Sequence, residues 1–232
     1  MSARDRLTAG GYKAVFFDLD GTLVDTAPDM VTALQEMQRA LDVEPVAYDF
    51  GRNHVSNGAL GLLRIGFPDL PEHERKDLVC DFVDRYARML CDRTSVFPGL
   101  DTALDALDAG ALPWGVVTNK PEHLTNPLME ALELLERSVA TVSGDTLPQR
   151  KPDPAPLLHA CELAGVAAID CIYVGDAARD IEAGKRAGMA TIAAAYGYIA
   201  DDDDPRNWNP DLIATDTDNL TQILLKAVNL VA

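Results

Sequence analysis

The stretch AVFFDLDGTLVDT places two aspartates, Asp18 and Asp20, directly after the apolar run from Ala14 to Phe17. A carboxylate in this position can attack phosphorus or carbon and form a covalent intermediate, which divides one difficult hydrolysis into two easier steps. A second carboxylate can protonate the leaving group and later deprotonate the attacking water. Gly21 permits a tight turn that aims backbone N–H groups at an anion. The alternative is a plain turn after a strand, because Asp-Gly is common in turns.

A second apolar run, CIYV, is followed by further acidic residues: Asp176, and Asp180 four residues later. If a helix starts between them, the two carboxylates lie one turn apart on the same face. With Asp18 and Asp20 they would form a cluster of oxygen ligands beside a phosphate dianion. Such a cluster is strongly repulsive without a hard divalent cation, so it predicts Mg²⁺. The alternative for Asp176 and Asp180 is a helix cap and a solvated side chain.

Two other segments supply polar and positive groups. In WGVVTNK, Thr118 and Asn119 follow a third apolar run and can donate hydrogen bonds to phosphate oxygens. In RKPDPAP, Lys151 lies in a proline-stiffened loop, where a fixed ammonium would offset the charge of the nucleophile and the charge developing on phosphorus. The alternative is an exposed loop lysine. Lys120 and Arg179, beside these residues, either add positive potential or extend into solvent.

The elements that must position these residues alternate between short β-branched or aromatic runs and helical patterns, which is typical of a parallel sheet covered by helices. The predicted strands are Ala14–Phe17, Trp114–Thr118, Val139–Val142, Cys171–Val174, Ala190–Ala194 and Leu212–Ala214. The fold class is therefore α/β, a doubly wound parallel sheet. Ligands of such sheets bind at the carboxyl ends of the strands, where the polar residues above are expected.

The interval after the first strand has a different pattern. In DMVTALQEMQRAL and in PEHERKDLVCDFVDRYARML, apolar residues recur at helical spacing, and no strand is predicted between them. The sequence therefore predicts a small helical unit at 27–94, inserted into a core formed by 1–26 and 95–232.

Composition limits the partners. A chain of 232 residues that is 47% hydrophobic can bury a sizeable core. The net charge of −17 opposes binding to nucleic acid or to an anionic membrane, while a small anionic substrate requires a locally positive pocket. The N-terminal residues lack the apolar run of a signal peptide, and no stretch reaches the about 18 apolar residues of a membrane span. A cytoplasmic protein is expected.

Four motifs in this order resemble those of the haloacid dehalogenase superfamily of phosphatases: DLDGT, VVTN, KPDP and GDAARD. The resemblance covers nearly the whole chain. It implies a Rossmann-like core with a helical cap domain inserted after the first motif. It also implies Asp18 as nucleophile, Asp20 as acid and base, Thr118 and Lys151 as stabilisers of phosphate and charge, and Mg²⁺ held by Asp18, the Asp20 backbone carbonyl and Asp176.

The expected substrate is a small phosphorylated metabolite. Asp20 favours phosphoryl chemistry over dehalogenation, because halide leaves without a proton. Within the superfamily, GTLVDTAPD, GVVTNKP and YGY resemble bacterial phosphoglycolate phosphatases, the first expectation. WGVVTNKP with YGYIADDDDPRNW also resembles N-acetylmuramic acid 6-phosphate phosphatases. A sugar phosphomutase would use the same residues, and a non-catalytic binding protein is disfavoured because no motif position is substituted.

Discrimination between these substrates is expected in the helical unit. There, GRNHVSNGALGLL places Arg52, His54, Ser56 and Asn57 just before a helix start at Gly58. Arg52 or the helix N-terminus could hold a substrate carboxylate. The alternative is a surface loop whose Ser and Asn cap the helix.

Overall fold

The computed structural model describes residues 2–230, so residues 1, 231 and 232 of the predicted core lie outside it. The strands are β1 (Ala14–Phe17), β2 (Val24–Asp25), β3 (Ser95–Val96), β4 (Trp114–Val117), β5 (Thr141–Val142), β6 (Cys171–Gly175), β7 (Ala190–Ala194) and β8 (Leu212–Ala214). The helices are α1 (Ala3–Ala9), α2 (Ala27–Ala40), α3 (Tyr48–Arg52), α4 (Gly58–Gly66), α5 (Glu72–Asp77), α6 (Val79–Arg88), α7 (Leu100–Ala109), α8 (Glu122–Ala131), α9 (Ala155–Ala164), α10 (Ala178–Ala187) and α11 (Thr217–Ala227). None of the helices at residues 2–230 has the length and hydrophobicity of a transmembrane segment.

Six strands form one parallel sheet in the order β5-β4-β1-β6-β7-β8. Numbered by their occurrence along the chain, these strands read 3-2-1-4-5-6, the Rossmann order. Because β4 and β6 flank β1, the residues that follow these three strands meet at one edge, where the winding of the chain reverses. The predicted α/β class and all six predicted strands are confirmed, although β5 begins only at Thr141.

Both faces of the sheet are buried, because successive side chains of a strand point to opposite sides. Val15 and Phe17 belong to one apolar core, which α1, α7, α8 and α11 cover. Ala14 and Phe16 belong to a second core, which α9 and α10 cover. Every residue of β1 and β6 is buried, which explains why these strands read as continuous apolar runs in the sequence.

Residues 27–94, called here the helical insertion, contain α2 to α6 and, as predicted, no strand in this fully described interval. Met30, Leu34 and Met37 are buried and extend the first core, whereas Leu41, just beyond α2, is 48% exposed. The second helical pattern is divided at Leu78 into α5 and α6. Buried residues of α6 such as Phe82 and Tyr86 join the same core, so the insertion and the sheet share one apolar core.

A short antiparallel ladder closes the base of the insertion. β2 precedes it, β3 follows it, and Val24 pairs with Val96. Asp29, near the start of α2, accepts hydrogen bonds from the backbone N–H and the hydroxyl of Thr94, at 2.9 and 2.7 Å. Strands of two residues carry no readable periodicity, so sequence analysis did not predict this ladder.

Candidate active site

Asp18 follows β1 directly and is 3% exposed. Its Oδ1 accepts the backbone N–H of Leu19 at 2.8 Å and lies 2.9 Å from Lys151 Nζ. Burial by itself raises the pKa of this carboxyl, but the charges of Lys151 and Arg179 outweigh burial, and the pKa of Asp18 lies below its ordinary value. Asp18 is therefore held as a carboxylate, the form that can attack an electrophile.

Lys151 is buried rather than exposed, so the alternative of a solvated loop lysine is wrong. Its Nζ lies 2.9 Å from Asp18 Oδ1 and 2.8 Å from Asp180 Oδ1. The same ammonium donates hydrogen bonds to the carbonyl of Val117 at 2.9 Å and to the hydroxyl of Tyr173 at 2.8 Å. Four oxygen atoms around one ammonium fix its position beside the carboxylate of Asp18.

The residues after β4 have different partners. Thr118 is buried, and its Oγ1 accepts the backbone N–H of Lys120 at 3.1 Å. The side chain of Asn119 donates to the carbonyl of Lys151 at 3.0 Å and accepts its backbone N–H at 3.1 Å. The Asn119 amide, predicted to bind phosphate, is thus engaged in holding the Lys151 loop.

Three buried carboxylates lie together at the sheet edge. Asp18 follows β1, Asp176 follows β6, Asp180 lies in the first turn of α10, and one oxygen of each lies within 4.8 Å of the others. This set is called the carboxylate cluster. Burial, followed by the charges of Asp18 and Asp180, raises the pKa of Asp176 to about 7. A cluster of oxygen donors with such repulsion fits a hard divalent cation.

The cluster residues also have structural partners. Asp180 Oδ2 accepts the backbone N–H of Ala177 at 3.1 Å, so Asp180 caps α10 as well as facing Lys151. Gly21 has a φ of +82°, and a Cβ there would lie 2.2 Å from Asp176 Oδ2. Only glycine fits this turn. The N–H of Gly21 donates to the carbonyl of Val24 at 3.0 Å, which closes the turn.

Asp20 lies apart from the cluster. Its Oδ1 accepts the hydroxyl of Thr26 at 2.7 Å and pairs with Lys120 Nζ at 2.9 Å. Lys120 is 7% exposed, and its ammonium also donates to the hydroxyl of Tyr86 at 2.9 Å. Burial lowers the pKa of Lys120, but Asp20 and Tyr86 raise it by a larger amount, so its pKa lies above the ordinary value. Lys120 therefore contributes a buried positive charge.

A cavity of about 800 Å³ lies between this edge of the sheet and the helical insertion. The polar side chains of the core that line this cavity are Asp18, Asp20, Thr118, Asn119, Lys120, Arg150 and Arg179. The insertion contributes two kinds of lining residue, polar or small ones (His54, Ser56, Asn57, Gly58, Ala59, Gly61, Arg64, Tyr86) and apolar ones (Met30, Val55, Leu60, Ile65, Val79, Phe82, Val83). The basic residues give this acidic chain the positive pocket that an anionic ligand requires.

The profile of the haloacid dehalogenase-like hydrolases matches residues 12–188, which include the sheet edge and the insertion. The chain belongs to this family. A phosphoglycolate phosphatase of Xanthomonas campestris pv. campestris is 41% identical over 201 residues, which cover 87% of this chain and 91% of that protein. An N-acetylmuramic acid 6-phosphate phosphatase of Pseudomonas aeruginosa is 39% identical over 217 residues, covering 93% and 96%.

A solved structure gives the same result. The crystal structure of a predicted phosphoglycolate phosphatase from Haemophilus somnus matches with a TM-score of 0.81 and 28% identity, covering 92% of this chain and 98% of that one. The predicted membership in the haloacid dehalogenase-like hydrolases and the predicted Rossmann-like fold are therefore confirmed. So is the prediction of an enzyme of the phosphatase class.

In this family member, the predicted specificity residues do not all reach the cavity. Ser56, Asn57 and the φ-positive Gly58 line it, and Ser56 Oγ donates to Asp176 Oδ2 at 2.6 Å. His54 lines it too, with Nδ1 2.7 Å from the carbonyl of Phe50. Arg52 is not among the lining residues. Its guanidinium lies 4.8 Å from the ring centroid of Tyr198, near the base of the insertion.

The sequence left the roles of Lys120 and Tyr86 undetermined, for different reasons. Lys120 was singled out by its place after a strand, but the sequence left its burial open. Tyr86 was recognisable only as an apolar-face residue of a helix, since periodicity does not reveal what a hydroxyl contacts. Together they link the core to the insertion.

Proposed function

We propose that this chain is a cytoplasmic, Mg²⁺-dependent phosphomonoesterase that acts on a small phosphorylated metabolite through an aspartyl-phosphate on Asp18. The observation that carries the proposal is the carboxylate of Asp18 at the reversal point of the sheet, with the ammonium of Lys151 2.9 Å away. A buried, charge-paired carboxylate beside a positive cavity is suited to attack a phosphate ester.

In the first step, Asp18 attacks phosphorus and the ester P–O bond breaks. Oδ1 of Asp18 is held by Leu19 N–H and Lys151, which leaves Oδ2 for the attack. Asp20 gives its proton to the departing alkoxide, and Lys151 with Thr118 offsets the charge on the phosphoryl oxygens. The product of this step is a free alcohol and a phosphorylated Asp18.

In the second step, water attacks the phosphorus of the aspartyl-phosphate. Asp20 removes a proton from this water, the acyl-phosphate P–O bond breaks, and Asp18 is released with inorganic phosphate. Asp18, Asp176 and the backbone carbonyl of Asp20 would hold Mg²⁺, which neutralises the facing carboxylates and the phosphate when bound. Asp180 supports the site by fixing Lys151, its Oδ1 being 2.8 Å from Nζ.

The helical insertion, residues 27–94, is proposed to act as a cap domain that covers the cavity during the first step. It supplies Ser56, Asn57 and the start of α4 at Gly58, which face the same cavity as Asp18. A cap in this position excludes bulk water from the phosphoryl group and selects the substrate by its organic part. The core residues would then perform the same reaction on every substrate admitted.

The proposed substrate is 2-phosphoglycolate, whose carboxylate the basic residues of the cavity would attract. The relative from Xanthomonas campestris pv. campestris, named a phosphoglycolate phosphatase, supports this choice. A second candidate, N-acetylmuramic acid 6-phosphate, is favoured by one observation. A volume of about 800 Å³ with an apolar wall formed by Ile65, Val79, Phe82 and Val83 exceeds what a two-carbon acid fills.

The deciding experiment compares kcat/KM for the two phosphate esters side by side with Mg²⁺, with Asp18→Asn as the blank. A higher kcat/KM for phosphoglycolate would identify that two-carbon ester as the substrate. Preference for the amino sugar would leave the mechanism unchanged and reassign the substrate. Isomerisation of a sugar 1-phosphate, followed by ³¹P NMR, would instead indicate a phosphomutase. Failure to release phosphate from a broad panel would contradict the proposal.

A further inference from the structure

A buried chain of contacts joins Asp20 to the helical insertion. Lys120 Nζ lies 2.9 Å from Asp20 Oδ1 and donates a hydrogen bond of 2.9 Å to the hydroxyl of Tyr86, in the last turn of α6. The ammonium also lies 4.5 Å from the ring centroid of Tyr86. Lys120 and Tyr86 are 7% and 1% exposed, so solvent does not compete for these contacts.

These contacts hold one oxygen of Asp20. Oδ1 accepts the hydroxyl of Thr26 at 2.7 Å and faces Lys120 at 2.9 Å, whereas Oδ2 forms no hydrogen bond within residues 2–230. Two partners on Oδ1 fix the rotation of the carboxyl group and leave Oδ2 for a substrate or a water. Efficient proton transfer depends on this placement, because a displacement of about 1 Å can cost about 100-fold in rate.

We propose that Lys120 and Tyr86 are positioning residues for proton transfer by Asp20. Tyr86 fixes the ammonium of Lys120, and Lys120 in turn fixes Oδ1 of Asp20. Because Tyr86 belongs to the insertion, Asp20 is correctly placed only when α6 is docked on the core. This inference rests on the proposed phosphatase function and adds two residues to its machinery.

Two other roles for these residues make a different prediction. Lys120 and Tyr86 both line the cavity and could contact the phosphoryl group directly, or Tyr86 could serve only to pack α6. Loss of either role would slow all phosphate esters alike. Loss of positioning would slow only esters whose leaving group needs a proton. An alkoxide needs one, whereas p-nitrophenolate leaves without it.

The test compares Tyr86→Phe, which removes the hydroxyl and keeps the buried ring, with the wild type in the presence of Mg²⁺. The substrates are p-nitrophenyl phosphate and the better hydrolysed of phosphoglycolate and N-acetylmuramic acid 6-phosphate. The measured quantity is kcat/KM, which covers the steps up to release of the first product. We expect a fall of about tenfold for the alkyl ester and less than about threefold for p-nitrophenyl phosphate.

Lys120→Met, which removes the ammonium and keeps most of the length of the side chain, should show the same selectivity with a fall of about 100-fold for the alkyl ester. This second variant decides the matter if Tyr86→Phe does not fold, as judged by circular dichroism. Tyr48→Phe is the matched control. Tyr48 is a half-exposed tyrosine of the insertion, and its hydroxyl forms no hydrogen bond within the described range. The kcat/KM values of the Tyr48→Phe variant should therefore match those of the wild type.

Equal losses on both esters, or no loss on either, would overturn the positioning role. A wild-type enzyme that hydrolyses none of the three phosphates would have a different meaning. It would overturn the proposed function itself, and this inference with it. The two failures are therefore distinguished by the wild-type rates alone.

Discussion

The carboxyl edge of the parallel sheet and the helical insertion face the same cavity, but they place their side chains by different means. At the sheet edge, Asp18, Thr118 and Asp176 each follow directly on a strand, whose hydrogen bonds with neighbouring strands fix the backbone. In the insertion, residues such as Asn57 lie on short helical segments that only tertiary packing holds in place. The first arrangement suits chemistry common to a family, and the second suits selection among substrates.

The strongest test of the sheet edge is Asp18→Asn, which removes the proposed nucleophile and keeps the shape of the side chain. We expect kcat to fall by about 10⁴-fold or more on every substrate, because loss of a nucleophile removes the covalent route. Phosphate release measures the effect. Thermal unfolding serves as the control, since the amide retains an acceptor for Leu19 N–H. A variant with activity close to that of the wild type would refute the assignment of Asp18.

The same contrast explains what the sequence could predict. Asp18, Thr118 and Asp176 were identifiable because each ends a recognisable apolar run, and parallel strands bring such ends together. The burial of Lys151 was not predictable, because it depends on contacts with Asn119, which is distant in sequence. In the insertion, periodicity predicted the buried face of α6 but not the contact of Tyr86 with Lys120.

Lys151→Met should have the next largest effect. It leaves the carboxylates of Asp18 and Asp180 buried without their shared counter-charge, which costs about 3–5 kcal/mol of unfolding free energy when a buried pair is broken. We expect kcat to fall by about 10²–10³-fold, as for loss of a group that stabilises transition-state charge. Urea denaturation and steady-state kinetics measure the two effects.

Lys13→Met is the matched control for this variant. Lys13 also pairs with a carboxylate, that of Asp170 at 2.9 Å, but its side chain is 66% exposed. An exposed ion pair contributes about 0–1 kcal/mol, so both stability and kcat should stay near the wild-type values. Similar losses in the two variants would show that burial of Lys151 has no special role.

The carboxylate cluster predicts a pH dependence of stability. In the metal-free protein, the pKa of Asp176 is about 7, against an ordinary value of 3.8, so the folded state binds more protons than the unfolded state between these limits. The free energy of unfolding should therefore fall as pH rises from about 4 to about 7, by up to a few kcal/mol. Melting temperatures in EDTA measure this trend.

Under the proposed function, added Mg²⁺ should bind the ionised carboxylates and stabilise the folded state, which would reverse the trend. Its effect on the melting temperature should be several degrees at pH 8 and small at pH 5. Asp176→Asn should abolish most of both dependences. An equal effect of Mg²⁺ on the variant and the wild type would exclude Asp176 from the metal site.

The smallest expected effect lies in the insertion. Asn57→Ala changes a residue that lines the cavity without belonging to the carboxylate cluster, so it should alter the choice of substrate and not the common reaction. Loss of one polar contact to the organic part of a substrate is worth about tenfold in kcat/KM. We expect the ratio of kcat/KM between phosphoglycolate and N-acetylmuramic acid 6-phosphate to change by that factor, with p-nitrophenyl phosphate changed less than about twofold.

Asn126→Ala is the control for this ratio. Asn126 lies in α8 and bonds Glu122 within the described residues, outside the cavity. If Asn57→Ala slows all three phosphates equally while the control does not, Asn57 acts on the shared chemical step. The insertion would then contribute to the reaction at Asn57 as well as at Tyr86, and Asn57 would no longer count among the residues that only select the substrate.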